Sequence, residues 1–491
     1  PRSPVFGVWA DAGFKIDSGS GTINIRGLSE SESAIWLGTT ETEGALSPIA
    51  ITSASTAANA ITIHGESTTN RHGFIANWDG STGSHVLIES SGASGGGVSI
   101  TGITNGANDG IILGQTAESE SIQIVSQAGD VSLISNAGLY IGNDAFLGNR
   151  KDGTAVKGIT PSVQSSSADI SIRANTLNGS GAIDVSAAGE LTIEPYDNSF
   201  SSAYSTSGLT LDSALTDLTI GKSTNNANVT IGGAIDIAGP ITVYGGDIAV
   251  NANMTSTAAG AAILLKASGN ISQAASKSIT TSGGDVTLWA DSDGSGTGYI
   301  QLTGGSNSGI TSGGGNIFLG GGTDLATGYA KGAAVIDDSD SPDFNFYIAG
   351  VHLRNATEIN SGGGNITLRG QNVGNSDGYI QPGIMGRSTT LNAGTGKIAL
   401  YGLAGGSGIA NAQAISTAGS GWTIRSASTE ADAITLIGDA TSTNNSFASL
   451  GINFVGIIEA TGNGGGIVLT GTSGTSTSYG DGLDIVGDVL A

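Results

Sequence analysis

A short run of glycines, usually followed by Asn or Asp and then an alternating apolar strand, recurs along this 491-residue chain. Its copies read AGDVSL (128–133), GGDIAV (245–250), GGDVTL (283–288), GGGNIFL (313–319), GGGNITL (362–368) and GTGKIAL (394–400). The first apolar residue after each turn is Val131, Ile248, Val286, Ile317, Ile366 or Ile398. The late spacings are 31 residues (Val286 to Ile317), 49 (Ile317 to Ile366) and 32 (Ile366 to Ile398). A loose period of this size is that of a solenoid whose turns carry loops of different length.

The glycines suit sharp corners, because Gly takes φ > 0 freely and Asn or Asp tolerates it. Gly129, Gly246, Gly284, Gly315, Gly364 and Gly396 are the expected structural corners. Asn316, Asn365, Asp130, Asp247 and Asp285 are expected to share one corner position, where side chains could stack into a ladder. Between corners the apolar residues alternate with polar ones, as at Ile122/Ile124, Val131/Leu133, Leu139/Ile141, Ile183/Val185 and Leu191/Ile193. That period of two is the mark of half-buried strands. No amphipathic helix stands out, since Gly and β-branched residues are poor helix formers. A string of β-sandwiches would need longer strands, aromatic cores and clear linkers. The expected fold is therefore all-β, a right-handed parallel β-helix with inserted loops. At ~25 residues per coil it would have about 16–24 coils, stacked over about 75–115 Å.

Composition removes several classes of function. Gly is 82 residues without a G-X-Y period, which excludes collagen, and hydrophobic residues at 38% argue for a packed core. The balance of 17 Lys+Arg against 41 Asp+Glu gives a net charge of −24 with no cationic run, so nucleic acid is not an expected partner. No apolar stretch approaches the ~18 residues of a membrane span. The absence of Cys removes disulfides and thiolate metal sites, and fits an exported chain that must thread an outer membrane. The opening PRSPVFGVW lacks a charged-then-apolar leader, and the last residues still alternate like a strand; both ends read as cuts in a longer chain or a processed product. Residues 1–19, with two prolines, Phe6, Trp9 and Phe14, are expected to form a cap or docking segment, and 20–491 the repeat region.

The run from TSGGGNIFLGG through INSGGGNITLRGQN to LNAGTGKIALYGLAGGSGIANAQAISTAGSG resembles the filamentous-haemagglutinin class of bacterial surface repeat proteins, the large adhesins of two-partner secretion. The resemblance covers most of 20–491. It implies a parallel β-helix outside the cell, at the surface of a Gram-negative bacterium, with adhesion as its purpose. The expected partners are other copies stacked head to tail or flanking regions of a longer chain, and a glycan or receptor.

Other motifs are weighed singly. GASGG (92–96) fits G-x-S-x-G around Ser94, but nothing after it reads as the helix a nucleophile elbow needs. His64, His72, His85 and His352 are scattered and read as solvated surface residues. Asp291 and Asp293 precede a Gly corner, and Asp337, Asp338, Asp340 and Asp343 crowd an insertion near 323–360. Asp291, Asp293, Asp337, Asp338 and Asp340 are weak Ca²⁺ candidates, and no cofactor is otherwise expected. The same insertion carries Phe344, Phe346 and Tyr347 and, with Asp343, is the expected partner loop. Lys331 and Arg354 beside its carboxylates make the nearest approach to a glycan-cleaving set, and Trp289, Tyr299, Tyr347 and Trp422 to a sugar-binding one. No residue is assigned a catalytic role. The sequence thus points to a structural, adhesive solenoid, with a glycan-binding or glycan-degrading β-helix as the alternative. Flat Thr arrays of an ice-binding solenoid are absent.

Overall fold

The structure is a computed structural model. It describes residues 6–38, 48–76, 85–114, 122–142, 145–148, 166–178, 183–186, 189–305, 308–333, 336–337, 346–373, 380–405, 411–417, 421–441, 449–474 and 480–491. Every regular element among them is a β-strand. The chain is a parallel β-solenoid, and it divides into two compact units, Pro1–Ala227 with Asp236–Gly239, and Asn228–Ile235 with Pro240–Ala491.

In the first unit successive strands enter three sheets in rotation. Val8–Ala10, Lys15–Asp17 and Ile23–Ser29 open the three sheets, and Ile35–Leu37, Ile49–Ser53 and Asn59–Ser67 pair with them in parallel, in that order. Each strand thus hydrogen-bonds to the one three places later, which is how a coil returns to its starting edge. Within 1–19, expected as a cap or docking segment, Val8–Ala10 and Lys15–Asp17 are two of these strands. Their alternating residues Val8/Ala10 and Ile16 continue the columns of Ile35/Leu37 and Ile51.

In the second unit one long sheet stacks Ile241–Gly245, Ile263–Ala267, Val286–Ala290, Ile317–Gly321, Ile366–Asn372, Ile398–Ala404, Ile434–Ala440 and Ile467–Ser473. Like residues stand on like: Ile263/Leu265, Val286/Leu288, Ile317/Leu319, Ile366/Leu368, Ile398/Leu400 and Ile434/Leu436 all point inward and are buried. Each such side chain contributes about 1.5–3 kcal/mol on burial. The column as a whole exists only because neighbouring rungs cover one another. Counted on strands of this type, the described rungs number fifteen, seven in the first unit and eight in the second. That is one fewer than the lower end of the expected range, because rungs such as that from Asn316 to Asn365, 49 residues apart, are longer than the assumed coil.

The opening motif resolves into a division of labour. In TSGGD, TSGGGN and NSGGGN, the buried Thr281, Ser312 and Ser361 hydroxyls each reach the carbonyl of the last glycine in their own turn: Gly284, Gly315 and Gly364. Each also lies within reach of a carbonyl in the next rung, as Ser361 does to Ala393 at 3.2 Å. The Asn or Asp then passes one bond onward. Asp285 Oδ1 accepts from the Asn316 amide (2.7 Å), Asn316 Oδ1 from that of Asn365 (2.9 Å), and Asn365 Oδ1 from that of Lys397 (2.8 Å). Asp247 belongs to a second ladder on the other sheet, running from Asn228 through Asp247 and Asn270 to Tyr299. The single shared corner expected from sequence is therefore two. None of the six expected corner glycines is left-handed; in four of the copies φ > 0 falls one or two residues earlier, at Gly283, Gly313 and Gly314, Gly362 and Gly363, and Gly394. Gly364 is required for a different reason: a Cβ there would lie 2.1 Å from the Gly315 carbonyl oxygen of the neighbouring rung.

Within the insertion, Ala330–Gly332 joins the long sheet beside Gly370–Asn372, and Ile336–Asp337 pairs antiparallel with Phe346–Tyr347. Val351–Arg354 and Glu358–Asn360 are again ordinary rung strands, so the departure from the repeat ends before 351 rather than at 360.

Candidate functional site

The acidic turn after Ala290 is a closed clasp. Asp291 takes φ 49°, a left-handed conformation that Asp tolerates, and is fully buried. Its Oδ1 accepts from the Gly296 amide at 2.9 Å, and its Oδ2 lies 3.1 Å from Lys331 Nζ. Lys331 is held in place by its own backbone, which exchanges hydrogen bonds with Gly298. Asp293 turns away to accept from the Ser295 amide. The position a cation would take at Asp291 is thus held by a lysine ammonium, and the two aspartates expected as Ca²⁺ ligands have different partners. Among the described residues no group of three or more His, Cys, Asp or Glu side chains is arranged to hold a metal.

Asp338, Asp340, Asp343 and Phe344 lie outside the described residues; Asp337, Phe346 and Tyr347 are described only as strand backbone. Lys331 is spent on Asp291. Arg354 ends a rung strand, its carbonyl accepting from the Gly304 amide and the Thr357 hydroxyl. Ser94 is exposed in a bend that leads into the strand Gly97–Thr104, not a helix.

Two of the four histidines differ from the solvated surface set expected, while His64 keeps a partly exposed side chain beside Glu66. His85 and His352 are buried at 5% and 0% exposure. His352 alternates with Val351 and Leu353 and shares a register row with Gln301 and Met385, on a sheet face that is covered at this level. His72 donates from Nδ1 to the Asp109 carbonyl at 2.7 Å, while the Asp109 carboxylate accepts from Asn178 Nδ2 at 2.9 Å. Burial is the main cause that lowers the His72 pKa, and burial likewise raises that of Asp109. Both groups are pushed toward their neutral forms, as suits a corner packed between rungs.

Of the aromatic residues read as sugar contacts, Trp422 is buried at 1% exposure, and Gly386 in the neighbouring rung leaves room for its indole. Trp289 remains on the outer face of the long sheet, and there the register exposes a feature that sequence reasoning missed. Three residues after each first inward position stand Tyr244, Lys266, Trp289, Gly320, Arg369, Tyr401, Ile437 and Thr470. The Phe318 ring lies across the gap that Gly320 leaves. Lys266 Nζ sits 4.0 Å from the Trp289 ring centroid, and the Arg369 guanidinium 4.0 Å from that of Tyr401. The next outward column reads Thr242, Leu264, Thr287, Phe318, Thr367, Ala399, Thr435 and Val468. Neither column contains a carboxylate, in a chain of net charge −24. The signal was present in ITVY, ILLK, VTLW, ITLR and IALY, but only once those strands are aligned on their first residue.

Comparison of the chain with family models, curated proteins and solved structures gives no match.

Proposed function

We propose that the chain is a structural, adhesive β-solenoid of an extracellular bacterial surface fibre, of the filamentous-haemagglutinin kind. The observation that supports this reading is the in-register stack of rungs, in which each rung covers the inward column of the one before it. Leu483 and Val489 are both 43% exposed, whereas Ile452 and Ile458, which they cover in register, are at 0%. Among the described residues, Val8–Ala10, Lys15–Asp17 and Ile23–Ser29 each pair on one side only. An open strand edge beside apolar side chains is a template for another strand.

The two ends also share a strand type. Ile23–Ser29 reads INIRGLS and Ile467–Ser473 reads IVLTGTS, and Gly27 and Gly471 both sit where a Cβ would strike the chain entering the next strand. Setting Ile16 of one copy over Val489 of another would bring Lys15 against Asp488. Head-to-tail copies, or flanking regions of a longer chain, are the partners this supports; such a contact is heterologous and does not close.

Electron microscopy and sedimentation across a concentration series test it. The expected result is particles that lengthen with concentration, and that stop lengthening in Leu483→Lys and Val489→Lys with an unchanged melting temperature. Single particles at every concentration, identical in the variants, would remove self-assembly from the reading. Glycan binding is the second reading, and the aromatic and cationic column is what favours it. Glycan cleavage draws no support from Asp291, whose carboxylate is already engaged.

A further inference from the structure

Lys266 and Arg369 differ from the five described cations that pair with a carboxylate. Arg71, Arg173, Lys331, Lys397 and Arg425 each pair with a carboxylate, namely Glu32, Glu194, Asp291, Asp432 and Glu459. Lys266 and Arg369 instead lean on Trp289 and Tyr401, and neither has an ion pair with a carboxylate among the described residues. Asp324 feels Arg369, but its pKa is lowered mainly by hydrogen bonds from Thr327 and the Ala326 amide, with Arg369 the smallest cause. A cation resting on a ring keeps much of its charge; Arg369 also lies 5.9 Å from the Tyr329 ring centroid.

We propose that this column binds a linear acidic polysaccharide laid along the stacking direction, with pyranose faces on the rings and uronate carboxylates on Lys266 and Arg369. The inference deepens the adhesive reading, on which it rests for its setting, by naming a ligand class and its site. Five rung steps from Tyr244 to Tyr401 span about 24 Å at ~4.8 Å per step, and a linear polymer matches a row that presents chemistry at every step. Aromatic rings supply sequence-tolerant apolar area for the flat, C–H-lined faces of sugars. Arg369 adds a planar fork suited to a carboxylate, and Lys266 a point charge. The Thr242, Thr287, Thr367 and Thr435 hydroxyls in the neighbouring column stand beside the row and suit sugar hydroxyls. The two outward columns themselves carry no carboxylate, which lessens the repulsion that the rest of this acidic chain would impose. Two cations are too few for the dense phosphate neutralisation that nucleic acids draw on.

The test titrates the full chain with oligogalacturonate, with a neutral cello-oligosaccharide of equal length and with single-stranded DNA, following tryptophan fluorescence and heat. Oligogalacturonate should bind, weaken with added salt and perturb emission that disappears in Trp289→Phe. Lys266→Gln and Arg369→Gln should each weaken binding about tenfold at an unchanged melting temperature, while Lys266→Arg should retain it. Equal binding of the neutral oligosaccharide, preference for DNA, or indifference to both Gln variants would overturn the proposal. Attachment of the chain to surfaces through other loops, with no oligogalacturonate affinity, would overturn the site while leaving the adhesive role. Oligogalacturonate binding lost in the Gln variants would establish the site even where no attachment is seen.

Discussion

At the scale of the residue, the corners work by passing polar groups between rungs. Asn365 illustrates this: its amide donates to Asn316 Oδ1, and its own Oδ1 accepts from the Lys397 amide. Replacing it with Ala leaves the Lys397 N–H without that acceptor, at a cost of about 1 kcal/mol. Asn365→Ala should therefore speed hydrogen exchange at Lys397 several-fold, while Asn365→Asp, which keeps the oxygen, should change it little. Unaltered exchange in the Ala variant would show that the ladder adds nothing. The glycines and amides of this motif are legible in the sequence as a recurring turn, although Gly364 is needed to clear the Gly315 carbonyl of another rung rather than for its own φ. The serine before them is not legible in that way. Its bonds reach the third residue onward and the next rung together, and nothing in SGGGN says which rung is next. Asp291 and Lys331 are hidden for the same reason, being joined only by a fold that brings positions forty residues apart together.

At the scale of the element, alternation reveals which side of a strand faces inward, and the aliphatic columns follow from that. It does not reveal which strands are neighbours. The row of Lys266, Trp289, Arg369 and Tyr401 emerges only when register is fixed across rungs whose lengths range from 23 to 49 residues. The burial of Trp422 was equally hidden, since it depends on Gly386 in another rung. Close stacking also makes the corner glycines intolerant of even a methyl group. Gly364→Ala forces a Cβ against the Gly315 carbonyl, and overpacking of that kind costs about 1–3 kcal/mol. The expected outcome is early proteolytic cleavage near 313–316 and 362–365 with the remaining rungs intact. An unchanged digestion pattern would mean that the backbone yields without cost.

At the scale of the whole molecule, the net charge of −24 sets opposite responses to salt for the two proposed contacts. Copies repel one another, so end-to-end association should strengthen between 0.01 and 0.15 M salt, as the Debye length shortens from about 30 to 8 Å. Binding of an acidic glycan to Lys266 and Arg369 should weaken over the same range. Sedimentation and glycan titration on one preparation measure both, and parallel responses would refute at least one contact. The ladders add a direction. In every bond from Asp285 to Lys397 the side-chain acceptor belongs to the earlier rung and the donated N–H to the later one. A chain emerging from a narrow pore, amino end first, would meet at each step a finished rung whose oxygens already await the next turn of backbone. Order of emergence and order of assembly would then coincide, and transit itself would set the pace at which the stack grows.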